Sequence, residues 1–200
     1  MVQAHLVDEL ERRGEALLRQ EFRCFGLIEG EVDRRLSPLL EKFKNVELGY
    51  RACFPEIHIT LSTTSSHQSR WNEALAFTQE ALGRHIFSES GQSLAHVVLD
   101  FLKERKESLA TAESCTGGLV GDLLTDIPGS SAVFQGGVVA YSNDIKCRYL
   151  DVEPHVLDSH GAVSEACVRA MAEGVKAKWQ SDWGIAVSGI AGPGGATPIK

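Results

Sequence analysis

The sequence predicts an α/β protein, with a small α+β unit in residues 1–90 followed by a layered α/β unit in residues 91–200. In the first part, amphipathic helical runs surround one hairpin-like pair of alternating segments. In the second part, apolar strand-like runs alternate with helical runs, the order typical of layered α/β domains. The segment Ser88-Glu-Ser-Gly91 is the predicted linker, because serine and glycine favour loops.

Each element of the first unit is predicted from its hydrophobic period. Leu36, Leu39 and Leu40 are expected to turn inward from the second helix, where Pro38 marks a kink or a break. Residues 63–69, rich in serine and threonine, are predicted to form a mobile loop. In chain order the predicted elements are a helix (4–19), a strand (21–27), a helix (28–43), a hairpin (46–50 and 56–62) and a helix (71–86).

The second unit is predicted in the same way. Leu94 and Phe101 are expected on the inner face of its first helix, and Ser164 is expected to cap the last helix. His155 and His160 are expected in a loop. In chain order the predicted elements are a helix (93–105), a strand (108–113), a helix (117–127), a strand (135–141), a helix starting at 142 or 143, a helix (165–178) and a strand starting at 184.

Composition narrows the class of protein. The net charge of -7 argues against a main surface that binds nucleic acid backbones, because such a surface needs a basic face. Five cysteines without Cys-x-x-Cys spacing predict reduced thiols rather than a disulfide framework or a zinc knuckle. No apolar run reaches the length of a membrane span. We therefore expect a cytoplasmic protein with no metal, no cofactor and no membrane partner.

The most informative stretch is Thr111–Leu119, TAESCTGGL. It follows a strand-like run and opens a helical one, which places Ser114 on a strand-to-helix turn. Gly117 and Gly118 let backbone N–H groups approach a bound group closely, and a helix start favours an anion or a developing oxyanion. The same residues are also compatible with an ordinary helix cap followed by turn glycines.

Two further predicted strands end in segments that could join this turn. Tyr141 and Lys146 bracket the turn after one strand, and 184–195 (GIAVSGIAGPGG) ends in a glycine loop. We expect the three strand ends to converge on one crevice. A serine nucleophile needs a base, and a lysine serves when burial lowers its pKa towards about 7 to 8. A solvated lysine and a packed aromatic are the alternative interpretations of these two residues.

Four segments, AESCTGG, VAYSNDIK, HGAVSE and SGIAGPGG, occur in this order between Gly91 and Gly195. Together they closely resemble the C-terminal domain of the CinA family, the nicotinamide mononucleotide deamidases also called PncC. The resemblance implies hydrolysis of the amide of nicotinamide mononucleotide, which gives nicotinic acid mononucleotide and ammonia in pyridine nucleotide salvage. It also implies a small-molecule nucleotide as the partner and a homo-oligomer formed through this domain.

The resemblance places the family's catalytic residues on Ser114, Tyr141 and Lys146. His160 belongs to the third segment, but a satisfied loop histidine is the favoured interpretation, because it has no metal-ligand partner at usable spacing. The predicted substrate-binding residues lie in the two glycine-containing turns and are Thr116, Gly117, Gly118, Ser188, Gly189 and Gly192.

Residues 1–90 resemble the KH-like middle domain of long CinA proteins, through the stretch GYRACFPEIHITL. A KH module that grips nucleic acid needs a Gly-x-x-Gly loop with basic neighbours. The segment Gly26–Gly30 has a different spacing and acidic neighbours, so a scaffold role is predicted. Against long family members, the sequence is expected to be an internal fragment. An uncovered apolar strand containing Ile185, Val187 and Ile190 is then expected to promote self-association.

Two functions from other classes stay open at this point. One is a module that holds a nucleotide phosphate without chemistry, and the other is a structural interaction domain whose glycines only make turns. Lys146 distinguishes the binding module from an enzyme. An arginine in its place would keep a phosphate contact but could not act as a base, because arginine does not deprotonate.

Overall fold

The computed structural model describes residues 16–190 and 192. The chain divides into two compact units, Met1–Val97 and Val98–Lys200. The first twelve residues of the helix predicted over 4–19 lie outside the described residues, as do 193–200. At the end of that predicted helix, Leu17 to Arg19 belong to a strand.

The first unit contains a four-stranded antiparallel sheet in the order β2-β3-β1-β4. In chain order its elements are β1 Leu17–Phe25, α1 Glu29–Lys42, β2 Glu47–Cys53, β3 Glu56–Thr64, a 3-10 turn Ser65–Arg70, α2 Trp71–Leu82, a 3-10 turn Gly83–His85 and β4 Ile86–Ser88.

The core of the first unit lies between one face of this sheet and the two helices. On β3, Ile57, Ile59 and Leu61 are buried, and they belong to one cluster with Leu36 and Leu39 of α1. Residues of β3 between them are only half-buried, because successive side chains of a strand point to opposite faces. The second face of the sheet is therefore polar.

Several boundaries in the first unit differ from the sequence prediction. The predicted helix 71–86 ends at Leu82, because Gly83 takes a positive φ of 52° and the chain then enters β4. Thr63 and Thr64 extend β3 instead of starting a loop. The helix α1 continues through Pro38, and Leu40 is 44% exposed rather than turned inward.

The second unit contains a three-stranded parallel sheet in the order β6-β5-β7. Its first helix, α3, begins before the division between the units. In chain order the elements are α3 Leu94–Arg105, β5 Leu109–Glu113, α4 Leu119–Thr125, a 3-10 turn Ser130–Ala132, β6 Phe134–Val139, α5 Asn143–Leu150, α6 Pro154–His160, α7 Glu165–Trp179 and β7 Trp183–Val187.

The central strand β5 determines where the ends of the other two strands lie. Glu113 is paired in register with Val139 of β6 and with Val187 of β7. Because all three strands are parallel, their carboxyl ends meet at one edge of the sheet, as the sequence predicted. The turn after Glu113 therefore lies between the segments that follow Val139 and Val187.

The core of the second unit is made of smaller side chains. Ala110 and Ala112 of β5 are fully buried and cluster with Met171 and Val175 of α7. Pro154 starts a short helix where a loop was predicted, since proline is well suited to the first helical turn. Leu94 and Phe101 of α3 are 43% and 54% exposed, so both predictions for its inner face were wrong.

No helix within the described residues is both long enough and apolar enough to cross a membrane.

Candidate active site

Ser114 stands immediately after the central strand, on the turn that leads to α4. Its backbone N–H donates to the Val187 carbonyl at 2.9 Å, and its own carbonyl accepts from the Gly117 N–H at 3.1 Å. Gly117 and Gly118 both have positive φ, 63° and 109°, which a residue with a side chain rarely adopts. These bonds hold the Ser114 side chain, 8% exposed, at the carboxyl edge of the sheet.

Lys146 reaches the same point from α5. Ser142 caps this helix by accepting from the Ile145 N–H. Side chains of a helix lean toward its N-terminus, so Lys146 points back over the segment that follows β6. Its residue exposure is 1%, and its Nζ lies 3.1 Å from Ser114 Oγ, 2.7 Å from the Ala140 carbonyl and 3.2 Å from the Tyr141 carbonyl.

The environment of Lys146 favours the neutral amine. Burial lowers its pKa below the ordinary 10.5, and the surrounding thiols, Cys167 first, oppose this only in part. Among the described residues no carboxylate forms an ion pair with it. In the charged form Nζ donates to Ser114 Oγ and to both carbonyls; in the neutral form its two N–H groups would serve the carbonyls and its lone pair would face Ser114 Oγ. Burial also raises the pKa of the Cys167 thiol, which keeps that neighbour neutral.

Glu113 is a buried carboxylate directly before Ser114. Its oxygens accept the backbone N–H groups of Gly118, Val120 and Gly121 at 3.1, 3.0 and 2.8 Å. Burial raises its pKa, but the nearby Thr116 hydroxyl and these three N–H groups outweigh burial, so its pKa is lowered. The sequence predicted that the start of α4 would bind an external anion, whereas these three donors are occupied by the chain's own carboxylate.

Two other backbone donors remain at this turn. Within the described residues the N–H groups of Cys115 and Thr116 make no backbone hydrogen bond. Thr116 Oγ1 is buried and has no partner of hydrogen-bond geometry among the described residues, although it lies close enough to Glu113 to lower that residue's pKa. A carbonyl oxygen placed beside Ser114 would therefore find unused donors on the residues that follow it.

Tyr141 takes part in the arrangement through its backbone. Its carbonyl accepts from Lys146 Nζ, while its residue exposure is 75%. No hydrogen bond joins its phenol to Ser114 or Lys146 in the described part of the chain. The structure therefore connects Tyr141 to the pair through its backbone carbonyl, and its side chain is largely exposed to solvent.

The remaining predicted binding residues lie in the segment after β7. Ser188 Oγ donates to the Ala162 carbonyl at 2.8 Å, which ties this segment to the loop before α7. A Cβ added at Gly189 would lie 3.1 Å from Cys115 Sγ, so the glycine permits close packing against the Ser114 turn. A Cβ on Gly192 would meet nothing within 4 Å. Ala191 and residues 193–195 of the same loop lie outside the described residues.

His160 lies at the exposed end of α6. Residues 16–190 and 192 contain no group of three or more His, Cys, Asp or Glu side chains arranged to hold a metal ion.

Glu113 was not among the site residues predicted from the sequence, although its carboxylate holds the Ser114 turn. A signal was present, since an acidic residue at the end of an apolar strand was followed by two glycines and a helix. Such an arrangement allows a carboxylate to accept the first backbone N–H groups of that helix.

Comparison with known proteins supports a family assignment. The CinA C-terminal domain family matches residues 91–200. A CinA-like protein of Synechococcus sp. (strain CC9902) is 41% identical over 189 residues, covering 92% of this chain and 45% of that protein. A CinA-like protein of Desulforapulum autotrophicum is 40% identical over 203 residues, covering 100% of this chain and 48% of that protein. The chain thus spans about half the length of the curated relatives it matches.

Solved structures agree with this assignment. The crystal structure of the competence damage-inducible protein A from Klebsiella pneumoniae is 43% identical, with a TM-score of 0.51, and the match covers 52% of this chain and 64% of that one. A CinA superfamily protein from Escherichia coli is 31% identical, with a TM-score of 0.51, covering 52% and 60%. The chain therefore belongs to the CinA family, and residues 91–200 are its CinA C-terminal domain.

Proposed function

We propose that the second unit hydrolyses the amide of nicotinamide mononucleotide, releasing ammonia and nicotinic acid mononucleotide. One observation carries the proposal: the buried Lys146 Nζ lies 3.1 Å from Ser114 Oγ. No carboxylate pairs with this amine among the described residues, and burial lowers its pKa. A buried lysine in this state is suited to act as a general base toward a serine hydroxyl.

In the proposed reaction Ser114 Oγ attacks the amide carbon and its proton moves to Lys146 Nζ. The carbonyl oxygen becomes an oxyanion, which the N–H groups of Cys115 and Thr116 stabilise. Lys146 then returns the proton to the nitrogen, the C–N bond breaks, and ammonia leaves. Water then attacks the acyl carbon while Lys146 Nζ takes its proton. Lys146 returns this proton to Ser114 Oγ as the acyl C–O bond breaks, so the acid product leaves and both residues are regenerated.

Glu113 has a positioning role in this proposal. Because its carboxylate holds Gly118, Val120 and Gly121, it fixes the turn that carries Ser114 and the two unused donors. Tyr141 is proposed to contact the substrate with its exposed phenol. Ser188 and Gly189, in the segment after β7, are proposed to line the substrate-binding site on the side of that segment. The other proposed binding residues are Thr116, Gly117, Gly118 and Gly192.

The test is ammonia release from nicotinamide mononucleotide by the wild-type chain and by Ser114→Ala. We expect turnover by the wild type and a loss of at least about 1000-fold in the variant, as for other nucleophile deletions. Binding of the nucleotide, followed by calorimetry, should stay within about threefold. The matched control is Ser142→Ala, which removes a cap hydroxyl near the site and should cost about 1 kcal/mol of stability with little loss of rate.

Turnover by Ser114→Ala within tenfold of the wild type would refute the proposed mechanism. Nucleotide binding without any ammonia release by the wild type would instead support the phosphate-holding module.

A further inference from the structure

The polar face of the first sheet contains a cavity that the proposed reaction does not use. Its volume is about 310 Å³, and it lies over strands β1, β2 and β3. Two of its lining residues, Phe22 and Tyr50, direct their side chains to the opposite, helix-covered face of the sheet. Phe22 is buried in the core there, and the Tyr50 hydroxyl donates to Asp33 of α1. The remaining lining residues are Arg19, Glu21, Arg23, Gly49, Arg51, His58 and Thr60.

Three basic side chains form one row across this face. In the strand register, His58 of β3 lies directly opposite Arg23 of β1 and directly opposite Arg51 of β2. Residues opposite each other in an antiparallel sheet point to the same face, with Cβ atoms about 5 Å apart. Like charges placed close together on one face of a sheet destabilise it, so an anion bound between Arg23 and Arg51 would relieve their repulsion.

The acidic residues of this face neutralise only part of the positive charge of the basic side chains. Glu56 accepts from His58 at 3.0 Å and from Arg23 at 3.5 Å, and Glu21 pairs with Arg19 at 2.7 Å. Within the described part of the chain, Arg51 has no ion pair. The cavity wall itself carries three guanidinium groups and one carboxylate, that of Glu21.

Gly49 keeps the middle of the cavity open. It lies opposite Thr60 in the register, next to the basic row. A Cβ built on Gly49 would meet no other atom within 4 Å. The space above the strands is unfilled because β2 carries no side chain at position 49.

We propose that this cavity binds the phosphate group of a small phosphorylated molecule between Arg23 and Arg51. Guanidinium groups match the geometry of phosphate oxygens and keep their charge when partly buried. The Arg23 side chain is 23% exposed, so water screens its contact with an anion less than at an open surface. The volume lies at the lower end of the range for small-molecule sites, which favours a compact ligand.

A small molecule fits this face better than a nucleic acid strand. Grooves for single-stranded nucleic acid combine basic residues with aromatic rings on which bases stack. The two aromatic residues at this cavity direct their side chains to the other face, and the whole chain has a net charge of -7.

The test is calorimetry of the full chain with inorganic phosphate and with inorganic pyrophosphate, at constant ionic strength. We expect saturable binding by the wild type and at least tenfold weaker binding by Arg51→Ala and by Arg23→Ala. Arg34→Ala removes the same charge from α1, where Arg34 pairs with Glu31 on the helix surface, and should leave affinity within twofold.

Gly49→Leu supplies a second test that leaves every charge in place. Its side chain should fill the cavity and weaken binding at least tenfold, while circular dichroism and the melting temperature stay close to those of the wild type. If Arg23→Ala fails to fold because Glu56 loses a partner, Arg51→Ala and Gly49→Leu still decide the matter.

Absence of saturable binding by the wild type would overturn the proposal. So would binding that Arg51→Ala and Gly49→Leu leave unchanged. A single-stranded oligonucleotide that binds and is displaced by pyrophosphate would assign the face to nucleic acid instead and would also overturn it.

Discussion

The buried polar side chains of the two units have different roles. In the first unit, buried Thr63 and Thr78 donate to backbone carbonyls of Asn45 and Ala74, and large aliphatic and aromatic residues fill the rest of the core. In the second unit, Glu113 and Lys146 are buried together at the end of the central strand. A buried lysine without a carboxylate costs stability, so its presence is better explained by chemistry than by folding.

Substitutions in the two units should therefore affect different quantities, the turnover rate in one case and the free energy of unfolding in the other. Changes at the buried polar groups of the second unit should alter turnover most. Changes in the apolar core of the first unit should alter the free energy of unfolding and leave the chemistry of the native molecule intact.

The largest effect is expected for Lys146→Arg. Arginine keeps the positive charge but does not deprotonate, so ammonia release should fall at least about 1000-fold, while nucleotide binding falls far less. Steady-state kinetics and calorimetry measure the two quantities. Lys178→Arg is the control, because Lys178 is an exposed lysine paired with Asp151 and should retain full rate. Retention of a tenth of the wild-type rate by Lys146→Arg would exclude Lys146 as the base.

The next effect concerns the first unit. Leu36 is fully buried against β3, and Leu36→Ala should lower the free energy of unfolding by about 3 kcal/mol. Leu40→Ala on the same helix removes a side chain that is 44% exposed and should cost less than about 1 kcal/mol. Urea denaturation measures both. Turnover per folded molecule should be unchanged in both variants, and a selective loss of rate in Leu36→Ala would contradict the separation of roles.

A smaller loss of stability is expected for Glu113→Gln. The amide offers one acceptor oxygen, and its NH₂ group would face backbone donors, so about 2 kcal/mol should be lost at neutral pH. Glu165→Gln is the matched control, since Glu165 also lies in the first turn of a helix but its side chain is 77% exposed. Equal destabilisation by the two substitutions would show that the three N–H contacts of Glu113 contribute little.

The smallest effect is a pH dependence of stability. The folded pKa of Lys146 is lowered, so the unfolded chain binds more protons between that pKa and 10.5. Stability of the wild type relative to Lys146→Met should therefore rise with pH in this window, by at most about 1.4 kcal/mol per pH unit. Urea denaturation of both proteins from neutral pH to 10.5 gives the difference. A flat or falling difference would mean that Lys146 is charged in the folded protein.

Much of the molecule was predictable from local sequence. The helices α1 and α7 and the hairpin strands were predicted because their apolar residues recur at helical or alternating spacing. The turn at Ser114 was predicted because a strand-like run over 108–113 is followed by a run of helical spacing that starts with the glycines at 117 and 118. Errors occurred where a single glycine or proline decided a boundary, as at Gly83 and Pro154.

Which of these local features come into contact depends on how the strands pair in the folded chain. Local sequence is enough to predict a strand, a serine turn and a lysine near the start of a helix, because these depend on neighbours within a few residues. That Lys146 is buried beside Ser114, and that Glu113 occupies the helix start, depends on parallel pairing of β5 with β6 and β7. The row formed by Arg23, His58 and Arg51 likewise depends on the register of three strands, since Arg23 and His58 are far apart in the sequence and become neighbours only when the sheet forms.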